Sequence, residues 1–81
     1  MSREELIQYY KEQIEWHKKE VEYCNREIEW IGKRIKEEKY EWGYSLIGES
    51  YIKQRRREYR SRKWHKDTIS YYEKQLERLV A

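Results

Sequence analysis

Residues 7–42, IQYYKEQIEWHKKEVEYCNREIEWIGKRIKEEKYEW, repeat one pattern every seven positions. An aliphatic residue, an acid or its amide, and an aromatic residue follow one another in Ile7-Gln8-Tyr9, and this order returns at 14–16, 21–23 and 28–30. Apolar residues spaced by seven lie on one side of an α-helix. The stretch therefore predicts a long helix that packs against another helix.

The composition is typical of a soluble helical protein. The chain has 81 residues, no proline, three glycines and one cysteine, and 43% of its residues are charged. Nine Tyr and four Trp are too many for a disordered tail. No apolar run approaches the ~20 residues of a membrane span, and the N-terminus lacks the apolar core of a signal peptide. A lone cysteine fits a reducing compartment, so we expect a cytoplasmic protein without a membrane partner.

The order of these patterns predicts an all-α fold, a long antiparallel hairpin of two helices that forms one domain over residues 1–81. The first helix is expected over residues 2–41, with Ser2 as its N-cap. Gly43, Ser45 and Gly48 indicate a turn over residues 42–49, in which Gly43 can end the first helix. Ser45 or Ser50 can cap the second helix, and the helical period returns over 50–80. The hairpin is coiled-coil-like, and two helices alone would leave many aromatic side chains in water. We therefore expect a homodimer that forms a four-helix bundle.

The position of the turn predicts which residues of the two helices face each other. A turn near Ser45 would bring together residues whose numbers sum to about 90, which places His65 opposite Cys24. It would also place the Tyr9-Tyr10 and Tyr71-Tyr72 pairs at the open end, side by side. A weak capping pattern near Asp67 leaves open whether the second helix breaks there.

A stripe of aromatic residues follows the first helix on a flank of its own. The stripe lies roughly 150° around the helix from the isoleucine row, so the helix should be contacted from two sides. It either closes a homodimer or docks a different protein. Its members are Tyr9, Trp16, Tyr23 and Trp30.

A basic block occupies the second helix and contains one acid, Glu58. Three interpretations remain open: phosphates of a nucleic acid, an acidic protein surface, or pairing with glutamates of the first helix. The glutamates near the block at the expected register are Glu27, Glu29, Glu37, Glu38 and Glu41. The block consists of Lys53, Arg55, Arg56, Arg57, Arg60, Arg62, Lys63 and Lys66.

The residues that could carry chemistry are few. His17 and Cys24 share a face, but they are one repeat apart, about 10 Å along a helix, which is too far to hold one metal ion. A Cys24–His65 pair would lack an orienting acid and an oxyanion site. We therefore expect no metal, no cofactor and no enzymatic activity.

The pattern as a whole favours a non-catalytic protein-binding module. Its small size and its Lys, Glu, Tyr and Ile content are common among phage or mobile-element accessory proteins. Such a protein would act as an inhibitor or adaptor of a larger host protein, for example a nucleic-acid enzyme, through aromatic and arginine contacts. A nucleic-acid binder that uses the basic helix and a structural coiled-coil scaffold are the alternatives.

Overall fold

Two long helices lie against each other in the computed structural model. It describes the backbone of residues 1–42 and 46–81 and the side chains of residues 1–37 and 50–81. Helix α1 spans Arg3–Trp42, and helix α2 spans Leu46–Val80. They form an antiparallel hairpin of 58 × 18 × 14 Å. The all-α hairpin is thus as expected, but the helices reach further into the predicted turn than the sequence suggested.

The helix ends follow local hydrogen bonding. The backbone N–H of Glu5 donates to Ser2 Oγ at 3.1 Å, so Ser2 caps α1. Helix α2 is continuous past Asp67, and Thr68 Oγ1 donates within it to the carbonyl oxygen of Trp64 at 2.7 Å. The roles expected of Gly43 and Ser45 lie outside the described residues.

The core is a narrow seam between the helices. The most buried row of α1 contains His17, Cys24 and Ile31, and Ile31 is fully buried. Ile14 is buried beside this row, and His65 is the buried residue that α2 contributes in the described part of the chain. A seam with so few buried apolar side chains offers limited hydrophobic stabilisation.

The register of the two helices differs from the expected one by about one heptad. His17 contacts His65, Tyr10 contacts Tyr72 with ring centroids 5.4 Å apart, and Trp30 contacts Tyr51 at 6.0 Å. The numbers of these facing residues sum to 81 or 82. The predicted Cys24–His65 opposition is therefore wrong. A slip of seven residues preserves the heptad pattern, so the pattern alone does not select the register.

Tyrosines cluster near the open end of the hairpin, as their positions predicted. The ring of Tyr72 packs against Tyr10 and meets the ring of Tyr9 edge-on at 6.4 Å. The Arg3 guanidinium donates to the carbonyl oxygen of Leu79 and ties the first turn of α1 to the last turn of α2. Aromatic pairs of this geometry stabilise a fold beyond their buried area.

The described ion pairs all lie within α1 and join Glu15 to Lys18, Glu29 to Lys33, and Glu37 to Arg34. Glu29 and Glu37, two of the glutamates that could have paired with the basic block, pair within their own helix. Glu38 and Glu41 lie outside the described side chains.

Gly32 does not mark a close approach of the second helix, since a Cβ placed there would meet nothing within 4 Å. Within the described residues, neither helix has an apolar stretch long enough to span a bilayer.

The register can be tested with a disulfide to the single native cysteine. Glu58 and Ser61 are the α2 residues whose side chains lie close enough to Cys24 to affect the pKa of its thiol. The variant Glu58→Cys should therefore form an intramolecular disulfide with Cys24 under mild oxidation, detected as the loss of two free thiols. The matched variant Lys66→Cys, which the register summing to about 90 would place opposite Cys24, should keep both thiols. The reverse result would refute the register described.

Candidate interaction surfaces

A pair of buried histidines lies at the middle of the seam. His17 Nδ1 and His65 Nδ1 are 2.7 Å apart, and the side chains are only 3% and 6% exposed. The rings of Trp16 and Trp64 meet both imidazoles edge-on, with centroids 4.8 to 5.8 Å apart. Sequence reasoning treated each histidine separately, and the structure shows that they form one unit.

An internal repeat could have revealed this pair. The tripeptide Trp-His-Lys occurs at residues 16–18 and again 48 positions later at 64–66. The same spacing relates Val21 to Ile69, Tyr23 to Tyr71 and Ile28 to Leu76. When equivalent residues of two antiparallel helices touch each other, an approximate two-fold axis passes between them. That axis runs between His17 and His65, perpendicular to the plane of the hairpin.

This symmetry collects exposed aromatic side chains on one face of the hairpin. A two-fold axis perpendicular to the hairpin plane keeps equivalent residues on the same face, so Trp64 and Tyr71 of α2 project beside the predicted stripe of α1. The six side chains are between 42% and 58% exposed. We call this surface the aromatic face; it consists of Tyr9, Trp16, Tyr23, Trp30, Trp64 and Tyr71. Four members were predicted, and the two from α2 were missed because the repeat was not recognised.

The basic block of α2 divides into two groups. Four of its cations line one surface hollow together with Ser50. Arg56 and Arg60 also line a neighbouring hollow with Tyr59. We call these four residues the basic edge: Lys53, Arg56, Arg57 and Arg60. Lys63 and Lys66 are exposed further along the helix.

The other two arginines of the block, Arg55 and Arg62, are half-buried. Arg62 donates to Asn25 Oδ1 of α1 at 2.8 Å, and its guanidinium lies 5.2 Å from the centre of the Tyr59 ring. Arg55 is half-buried at an equivalent position along the seam. These two side chains are less available to a partner than the basic edge, so the eight predicted residues do not form a single surface.

Burial shifts the pKa values of three groups of the seam: His17, Cys24 and Tyr72. Burial, followed by the nearby His65, lowers the pKa of His17. Burial likewise raises the pKa of the Cys24 thiol, which therefore gains no nucleophilic character from its surroundings. The pKa of Tyr72 is raised by burial and by its hydrogen bond with Tyr9. Among the described residues, no three His, Cys, Asp or Glu side chains converge as a metal site would require.

Comparison with known proteins does not assign these surfaces. The chain matches no protein-family model, no curated protein and no solved structure.

The histidine contact should appear as an energetic coupling. Replacing His17 by leucine leaves His65 buried without its partner, which should cost about 1–3 kcal/mol of unfolding free energy. The double variant H17L/H65L should be more stable than the sum of the single effects predicts, by roughly 1 kcal/mol, in urea unfolding at pH 7.5. Glu22→Leu and Ser70→Leu, exposed residues related by the same repeat, provide a control pair whose effects should simply add. Additive effects in the histidine pair would contradict the contact.

Proposed function

We propose that this chain is a non-catalytic protein-binding module that dimerises through its aromatic face and binds a larger protein through its basic edge. The observation that supports it is the aromatic face itself. Six large rings lie half-exposed on one side of a chain in which 43% of residues are charged. Contiguous exposed apolar surface of this kind is typical of protein interfaces, where Tyr, Trp and Arg contribute most of the binding energy.

A second copy of the chain is the occupant that the aromatic face fits best. In the described part of the hairpin, the buried apolar side chains are Ile14, Cys24 and Ile31. Helical proteins of this size commonly need oligomerisation to complete a core. The hairpin is 58 Å long and 18 Å wide, so one face offers about 1,000 Å², close to the ~800 Å² that each partner buries in a standard interface. Two hairpins joined by this face form a four-helix bundle.

Most of the basic edge would remain on the outside of such a bundle, and Arg57, seven residues before Trp64, would lie at the border of the aromatic face. Lys53, Arg56, Arg57 and Arg60 take part in none of the described ion pairs. Arginine presents a planar fork of donors that suits carboxylates. An acidic surface of a larger protein is therefore the partner we propose for this edge, and the module would act on it as an inhibitor or adaptor.

Nucleic-acid binding is the second candidate, and one feature of the basic edge favours it. Tyr59 lines a hollow together with Arg56 and Arg60, which combines a ring for base stacking with cations for phosphates. Such binding would weaken steeply with salt, because cations that contact phosphates release counterions. This dependence distinguishes a nucleic acid from a protein partner held partly by apolar contacts.

Self-association through the aromatic face can be tested by light scattering. The chain should have twice its monomer mass of 10.4 kDa at micromolar concentration. Tyr23→Glu places a charge within the face and should weaken the dimer at least ~30-fold, the effect of losing an interface hot spot. Tyr59→Glu changes a tyrosine of similar exposure outside the face and should leave the mass unchanged. A monomeric parent protein at all concentrations would refute the dimer.

The basic edge can be tested by affinity capture from host lysate, with and without nuclease. The double variant Arg56→Glu/Arg60→Glu should lose the captured protein, because two repulsive charges replace two attractive ones. Lys19→Glu/Arg26→Glu, which reverses two exposed charges on α1, is the matched control and should retain it.

The outcome of this capture separates the two candidates. A captured protein that survives nuclease supports a protein partner. If nuclease treatment abolishes the capture and binding in a gel-shift assay weakens steeply with salt, the partner is a nucleic acid instead of a protein.

A further inference from the structure

Both histidines of the chain belong to the buried pair. A neutral imidazole carries a hydrogen on one of its two ring nitrogens. The 2.7 Å separation of His17 Nδ1 and His65 Nδ1 therefore requires that one ring donates its Nδ1–H and the other accepts with a bare Nδ1. The pair is satisfied only while at least one of the two rings is neutral.

Protons affect this pair in two steps. The first proton can occupy the bare Nε2 of the donor ring, which leaves the hydrogen bond between the rings intact. The second proton must occupy the Nδ1 that accepts the bond. Two N–H groups would then point at each other between two positive rings in a buried site, which is strongly unfavourable.

The surroundings offer little compensation for two charges. Within α1, Glu20 is the carboxylate that acts on His17, and it is half-buried. From α2, the groups that face His17 are His65, Trp64 and Tyr72, whose ring centroid lies 6.1 Å away. One carboxylate faces two imidazoles, so the doubly protonated pair keeps an excess of positive charge.

The histidine pair also supports the centre of the aromatic face. Trp16 meets His17 at 4.8 Å and His65 at 5.8 Å between ring centroids. Trp64 meets the same two rings at 4.8 and 5.4 Å. Both tryptophans therefore rest on the imidazoles, and separation of the imidazoles removes the surface that orients them.

We propose that the His17–His65 pair makes the aromatic face sensitive to acid. In the mildly acidic range the second proton separates the two rings, displaces Trp16 and Trp64, and releases the second copy of the chain from the face. This regulation rests on the proposed function, since it acts on the dimer that the aromatic face forms.

The direction of the pH effect follows from linkage. A histidine in the unfolded chain titrates near pH 6.5, whereas burial lowers the pKa of His17 in the folded chain. The unfolded state therefore binds more protons below pH 6.5, and stability falls as the pH falls through this value. Between pH 7.5 and 5.5 the unfolding equilibrium constant should rise by up to about tenfold for each histidine that stays neutral in the fold.

The test compares the full chain with two variants that do not titrate in this range. Chain mass by light scattering, tryptophan emission and the ring-proton NMR signals of the two histidines are followed from pH 7.5 to 5.5. H17L/H65L replaces the pair by apolar residues, and H17Q/H65Q retains a hydrogen bond and serves if the leucine variant does not fold. The parent chain should dissociate and shift its tryptophan emission, and the folded variant should do neither.

The remaining outcomes separate this inference from the proposed dimer. Equal acid dissociation of parent and variant would assign the effect to carboxylates and overturn the inference. A parent dimer that is unchanged at pH 5.5 would overturn it as well. A parent chain that is monomeric at pH 7.5 refutes the dimer instead, and the tryptophan emission then decides: a shift in the parent alone supports the acid-sensitive face, and no shift overturns it.

Discussion

The hydrogen bond between His17 and His65 is the contact on which the arrangement of the hairpin depends. The apolar seam is thin, and its middle is polar on α2, where Glu58 and Arg62 occupy seam positions. A slip by one heptad toward the turn would place His65 against Cys24 and Glu58 against Ile31. Each change would bury a polar group without a suitable partner. Specific polar contacts therefore select one register among several that the heptad pattern permits.

The approximate two-fold symmetry about this pair organises the rest of the surface. Equivalent positions of the two helices share the seam, so the rows beside it point to the same face in both helices. Aromatic residues fill most of that row in α1, and Trp64 and Tyr71 continue it in α2. The outer edges do not follow the repeat: that of α2 carries the cations of the basic edge, whereas α1 contributes glutamates that pair with lysines or arginines of their own helix. The hairpin thus combines one aromatic face with one cationic edge.

Cysteine and histidine lie inside the hairpin, whereas other residue types form its surface. The Cys24 thiol is buried and its pKa is raised, and the two histidines bond to each other. These three side chains are therefore engaged within the seam. The surfaces that remain accessible carry tyrosine, tryptophan and arginine, the residue types that contribute most at protein interfaces.

Much of this protein could be derived from its sequence because the determining patterns are local. The recurrence of Ile14, Val21 and Ile28 every seven residues predicted α1, and the glycines and serines near residue 43 predicted a reversal of the chain. The exposed flank of Tyr9 and Trp16 followed from helical geometry alone. The register, by contrast, was decided only by the tertiary structure. A heptad pattern is unchanged by a shift of seven residues, and what distinguishes one shift from the next is whether His17 meets His65 or another side chain. That depends on groups 48 residues apart in the chain, which local periodicity does not relate.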